Sequence, residues 1–94
     1  PILLAVEVVS TNWDDDYLDK LDEYQRLGIK EYWIVDYLAI GGREHLGNPK
    51  FPTIFVYVLK ENNQYEKTMF RDDENIISAT FPELQLTPNQ IFQS

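Results

Sequence analysis

The stretch that most limits what this chain can fold into runs from Leu3 to Tyr24. It reads as an apolar run (LLAVEVVS), a polar turn (TNWDDD) and an amphipathic segment (YLDKLDEY). Leu3 to Val9 is aliphatic and rich in β-branched residues, the composition of a strand buried on both faces. Alternation puts Leu3, Ala5, Glu7 and Val9 on one face and Ile2, Leu4, Val6 and Val8 on the other. Glu7 therefore points the same way as three apolar neighbours. A lone ionised carboxylate there costs several kcal/mol, so Glu7 is expected to be protonated, paired or bound to a metal. The plain structural alternative is a glutamate near the strand end that pairs with a cation or reaches solvent.

The segment that follows predicts a helix. Ser10, Thr11 and Asn12 are good N-cap residues, and Asp14, Asp15 and Asp16 suit the positive end of the helix dipole. Gly28 follows the last periodic residue and is a natural stop. At ~100° per residue, Tyr17, Leu21, Tyr24 and Gly28 form one stripe, flanked by Leu18 and Leu27. Lys20 falls between Tyr24 and Leu27, on the flank of that stripe, while Asp15, Asp19, Asp22 and Arg26 face away. Two structural explanations for Lys20 are a stem laid along the core edge with its ammonium in water, and a pair with Asp16. Glu7 and Lys20 together suggest a third. A strand followed by a helix packed on it can bring a carboxylate and a lysine to one point. With a divalent metal, that combination hydrolyses phosphodiesters.

LAVEVVS, DDYLDKLDEY, GIKEYWIVD, PTIFVYVL and FPELQLTPNQIF resemble the Uma-type family of predicted restriction endonucleases, within the PD-(D/E)XK nuclease superfamily. The resemblance covers essentially the whole chain. It implies an α/β domain with a restriction-endonuclease-like mixed sheet and flanking helices, and metal-dependent cleavage of DNA. In the superfamily pattern the second acidic residue and the lysine lie two apart on one strand. Glu7 stands at the acidic position, Val9 stands where the lysine belongs, and Lys20 is the substitute offered by the next helix. The resemblance thus implies Glu7 and Lys20 as catalytic residues, Glu7 as the metal ligand and Ser10 and Tyr24 as supporting groups. It also implies Mg²⁺, or Mn²⁺, as the cofactor, in keeping with a sequence that offers oxygen ligands and no soft ones. The pattern's first aspartate belongs to an upstream strand. The expectation is accordingly a C-terminal part of the domain, lacking its N-terminal elements.

Ninety-four residues make one small domain, expected over residues 1–94, and a 44% hydrophobic content makes it globular. The absence of cysteine removes disulfides and thiolate metal sites and fits the cytoplasm. No signal peptide or long apolar run suggests secretion or a membrane span. A net charge of −8 opposes nucleic-acid binding by broad electrostatics. Binding of DNA then requires that Arg43, Lys50, Lys60, Lys67 and Arg71, scattered along the sequence, gather near the site.

Glu31 to Asp36 (EYWIVD) predicts a strand in the middle of the sheet, with Trp33 and Val35 on one face and Tyr32 and Ile34 on the other. A strand–helix–strand unit of this length predicts parallel pairing with the first strand. Asp36 is expected to cap the next turn, and Tyr24 and Trp33 to be core aromatics. The long connection from Leu38 to Pro52 holds the one histidine, His45, expected at the surface. Thr53 to Leu59 and Gln64 to Arg71 predict a hairpin around Glu61, Asn62 and Asn63. Ile76 to Ser78 predicts a short strand, and Pro88 opens a short terminal helix. Two readings compete with the nuclease. One is a non-catalytic remnant or assembly module with Glu7 and Lys20 as a structural ion pair. The other is a protein-binding module whose hairpin edge and aromatics form a homo-oligomer or partner surface.

Overall fold

The structure is a computed structural model that describes residues 3–9, 17–40 and 50–93. Its elements are β1 (Leu4–Val8), α1 (Tyr17–Leu27), β2 (Glu31–Asp36), β3 (Thr53–Leu59), β4 (Tyr65–Phe70) and α2 (Pro88–Phe92). The four strands form one sheet in the order β1-β2-β3-β4. β1 and β2 run parallel, as a strand–helix–strand unit requires, and the other two pairings are antiparallel. This is the mixed α/β sheet expected from the sequence.

β2 lies between β1 and β3, and all six of its residues are buried. Alternation along it separates two cores. Tyr32 and Ile34 join Val9, Phe55 and Tyr57 on one face, where Leu21 and Tyr24 of α1 pack. Trp33 and Val35 join Ile54, Val56, Phe70 and Ile76 on the other, covered by Leu84, Ile91 and Phe92 from the C-terminal segment. The helix covers one side and the tail the other.

Helix α1 ends as Gly28 predicts. Gly28 adopts φ +70°, its N–H donates to the Gln25 carbonyl at 3.1 Å, and the Ile29 N–H donates to the Tyr24 carbonyl at 3.1 Å. These two bonds are the Schellman closure, in which a left-handed residue lets the chain satisfy its last carbonyls. The turn buries Ile29 at 3% exposure, whereas Leu27, expected beside the core stripe, is 67% exposed. The side chains of Tyr17 and Leu18 lie outside what the structure describes, as do Ser10 to Asp16 and His45.

Two further expectations are corrected. β1 is not buried on both faces: it is an edge strand, with Val6 53% and Val8 62% exposed. Among the described residues no strand pairs with its outer side. Residues 76–78 form no strand. Ile76 and Ser78 are buried and Ile77 exposed, the alternation of a strand. The Ile76 N–H donates to the Leu86 carbonyl at 2.9 Å, and Ser78 is held through its side chain. Three other expectations agree with the structure. Asp36 Oδ1 accepts from the Ile40 N–H at 3.0 Å, capping the turn after β2. The β3–β4 hairpin turns at Asn63, φ +61°. Pro88 opens α2 behind a capping box made by Thr87 and Gln90.

Candidate active site

Parallel pairing sets Glu7 of β1 opposite Ile34 of β2, on the sheet face that α1 covers. Lys20 lies on α1 one turn after its described start, and its side chain reaches down the flank of the helix to that face. The Lys20 ammonium forms an ion pair with Glu7 Oε1, thirteen residues away in sequence. The other carboxylate oxygen is also engaged: Tyr32 Oη donates to Glu7 Oε2 at 2.9 Å. The Glu7 and Lys20 side chains keep 31% and 37% of their surface exposed. One end of the carboxylate is thus turned to the dry interior and the other to a cation at the rim.

Packing fixes the Tyr32 end. Tyr32 is 2% exposed; the Tyr24 ring meets it edge-on at 4.7 Å, and the Tyr57 ring stacks on it at 5.7 Å. Tyr65 ends this row, its hydroxyl donating to the Ile29 carbonyl at 2.7 Å. Burial first, and the neighbouring Tyr24 second, push the Tyr65 hydroxyl above its ordinary pKa. Tyr24, named from sequence as a supporting group, reaches the site through its ring against Tyr32. Ser10 lies outside the described residues.

The second carboxylate of note was missed by the sequence reading. Glu31 is fully buried on the opposite face. Its Oε2 accepts from Trp33 Nε1 at 2.6 Å and Ser78 Oγ at 2.7 Å, and its Oε1 accepts from the Thr80 N–H at 2.8 Å. Burial pushes this carboxyl up. Hydrogen bonds from Ser78, the Thr80 backbone, Trp33 and the Thr80 side chain outweigh burial and hold it below its ordinary value of 4.5. The signal for Glu31 was available, because alternation places it with Trp33 and Val35 exactly as it places Glu7 with Ala5 and Val9. Its partners tie the tail to β2, so Glu31 holds the fold.

Among the described residues, Lys67 and Arg71 do not gather at Glu7, and Arg43 lies outside what the structure describes. The row Glu7, Ile34, Phe55, Met69 crosses the sheet from edge to edge. Lys67 and Arg71 flank its far end, with Lys67 Nζ 5.7 Å from the Phe55 ring and the Arg71 guanidinium 5.7 Å from the Phe51 ring.

A protein-family model described as "Uma2: Putative restriction endonuclease" matches residues 1–89. The chain belongs to this family. No curated protein and no solved structure matches it. The Uma2 assignment agrees with the four-stranded mixed sheet and its two short helices, an arrangement consistent with a restriction-endonuclease-like core. For a Uma2 chain the implied group is a divalent metal. Among the described residues no three His, Cys, Asp or Glu side chains cluster as a ligand set. Glu7 supplies one hard oxygen donor at the water-facing rim of the sheet. Both Glu7 oxygens are engaged, Oε1 by the Lys20 ammonium and Oε2 by the Tyr32 hydroxyl, so a hard cation such as Mg²⁺ would have to displace Lys20 from Oε1 to bind there.

Proposed function

We propose that the Glu7–Lys20 pair is the catalytic centre for metal-dependent hydrolysis of phosphodiester bonds in DNA. The observation that carries this reading is the meeting of a strand carboxylate and a helix ammonium at a half-exposed point, in a chain of the Uma2 family. Glu7 would hold the cation through a carboxylate oxygen, in exchange for its contact with the Lys20 ammonium. A bound Mg²⁺ supplies Lewis-acid polarisation of the phosphate and a more acidic water. Lys20 places a fixed positive charge beside the scissile phosphate, where it offsets the charge that grows on the non-bridging oxygens and orients the attacking water. The tyrosine-lined interior excludes solvent from the opposite side of the carboxylate, which strengthens both interactions. On this reading the protein acts on DNA in the cytoplasm, as a homo-oligomer, with Mg²⁺ or Mn²⁺.

The second reading, a non-catalytic assembly module with a structural ion pair, draws on the engagement of both Glu7 oxygens within the protein. Plasmid cleavage separates the two. With Mg²⁺ or Mn²⁺ the protein should nick supercoiled plasmid, and chelation should stop it. Glu7→Gln and Lys20→Met should each lower the rate by about 10²–10³-fold, the usual loss when one charge-stabilising group is removed. Cleavage that survives both substitutions, or no cleavage by the unaltered protein, contradicts the proposal and leaves the module.

A further inference from the structure

We propose that the edge of the sheet farthest from Glu7 carries a docking surface for single-stranded DNA. Lys67 takes a backbone phosphate, and Phe51, with the Arg71 guanidinium over its ring, gives an unpaired base a plate to stack on. The proposal rests on the reading of the protein as one that acts on DNA, and it needs no metal at Glu7.

Strand β4 sorts its side chains by charge. Tyr65, Lys67, Met69 and Arg71 share the α1 side of the sheet, whereas Glu66 turns to the other side with Thr68 and Phe70. The α1 side of this edge strand thus holds cations and no carboxylate, in a chain of net charge −8. Register sets Lys67 opposite Tyr57 and Met69 opposite Phe55, and Lys67 Nζ stands 5.7 Å from the Phe55 ring. Arg71 Nε donates to Thr53 Oγ1 at 2.8 Å, which holds the guanidinium 5.7 Å from the Phe51 ring. Lys67 and Arg71 lie about 13 Å apart along the strand. Half-exposed Met69 stands between them, half-exposed Phe51 lies at the Arg71 end, and exposed Lys50 adjoins Phe51 in the chain. Acids border this patch only at the Arg71 end. Asp36 is buried opposite Thr53, and Glu74, of the acidic turn at 72–74, accepts from the Arg71 N–H at 2.7 Å. Lys67, at the other end, is therefore the phosphate contact.

The chemistry selects the occupant. A duplex presents phosphates but keeps the faces of its bases stacked inside, which leaves Phe51 and Met69 unmatched. An acidic peptide matches the cations alone. An unpaired strand offers an anion and a flat apolar face at each nucleotide, the combination that this edge complements. The patch lies three strand spacings, about 14 Å, from β1, on the same side of the sheet as Glu7.

Fluorescence anisotropy with a short labelled oligothymidylate, in the presence of a chelator, tests the surface apart from any cleavage. The oligothymidylate should bind more tightly than a duplex of equal length or polyglutamate. Phe51→Ala and Phe51→Leu, which differ in the bulk they keep, should each weaken binding about five- to tenfold through the lost aromatic plate. Lys67→Gln should reduce the slope of log affinity against log salt by about 0.7, one phosphate contact on a single strand. Lys60→Gln removes the same charge from the opposite face, beside Glu66, and should leave the slope unchanged. Equal slope losses in the two lysine variants overturn the proposal, because binding would then follow net charge alone. Unchanged affinity in both Phe51 variants, equally tight binding of duplex or polyglutamate, or no binding by the unaltered protein also overturns it. Docking at this edge without cleavage contradicts the centre at Glu7 alone. Cleavage with binding indifferent to Phe51 and Lys67 contradicts this surface alone.

Discussion

Glu7 keeps one carboxylate oxygen at a water-facing rim beside Lys20, whereas Glu31 is buried on the opposite face with donors from Trp33, Ser78 and Thr80. Truncating Glu31 to alanine leaves those donors without their acceptor in a dry site. Glu31→Ala should therefore lose about 3 kcal/mol of unfolding free energy in urea, from hydrogen bonds to a charged group and the desolvation of their donors. The same carboxyl makes stability depend on pH. Its folded pKa lies below the ordinary value of 4.5, so its contribution is complete above that value and is lost as pH falls through the lower, folded one. Melting temperatures of the unaltered protein should fall below pH 4.5 more steeply than those of Glu31→Gln; parallel curves would deny Glu31 this role. At this scale the sequence spoke clearly about Glu7 and Lys20, because each breaks the periodicity of its own element. It was silent about Tyr32, whose meeting with Glu7 depends on the β1–β2 register, and register is a property of two strands rather than of one local pattern.

Strand–helix–strand order, the parallel pair and the hairpin were legible because their apolar periods and turn residues are strong. The departures come from tertiary placement. Leu3 to Val9 has the composition of an interior strand, yet β1 takes the edge of the described sheet and leaves Val6 and Val8 exposed. Residues 76–78 keep a strand's alternation without a ladder, since Ser78 is fixed by the Glu31 carboxylate. Gly28 shows the opposite case, a single residue that fixes an element's end. A Cβ added there would meet no atom within 4 Å, so only the φ of +70° opposes a substitution. Gly28→Ala should cost about 1 kcal/mol, the left-handed penalty of an L-residue, read as a shift in urea midpoint with an unchanged slope. A neutral or stabilising result would contradict the closure described for α1.

For the whole molecule, the net charge of −8 sets the problem that any DNA-cleaving reading must meet. A divalent cation will be drawn broadly to such a surface, and the turn Asp72, Asp73, Glu74 competes with β1 for it. The proposal requires that Glu7, held by Tyr32 and flanked by Lys20, outcompete that turn. Among the described residues no helix is long and apolar enough to cross a membrane. Substoichiometric Mn²⁺ added to ¹⁵N-labelled protein decides the matter, because the ion broadens the amide signals nearest its site. Signals of Ala5 to Val9, Lys20 and Tyr32 should fade first, and Glu7→Gln should restore them. Broadening that begins at residues 72–74 while β1 stays sharp would contradict a metal centre at Glu7.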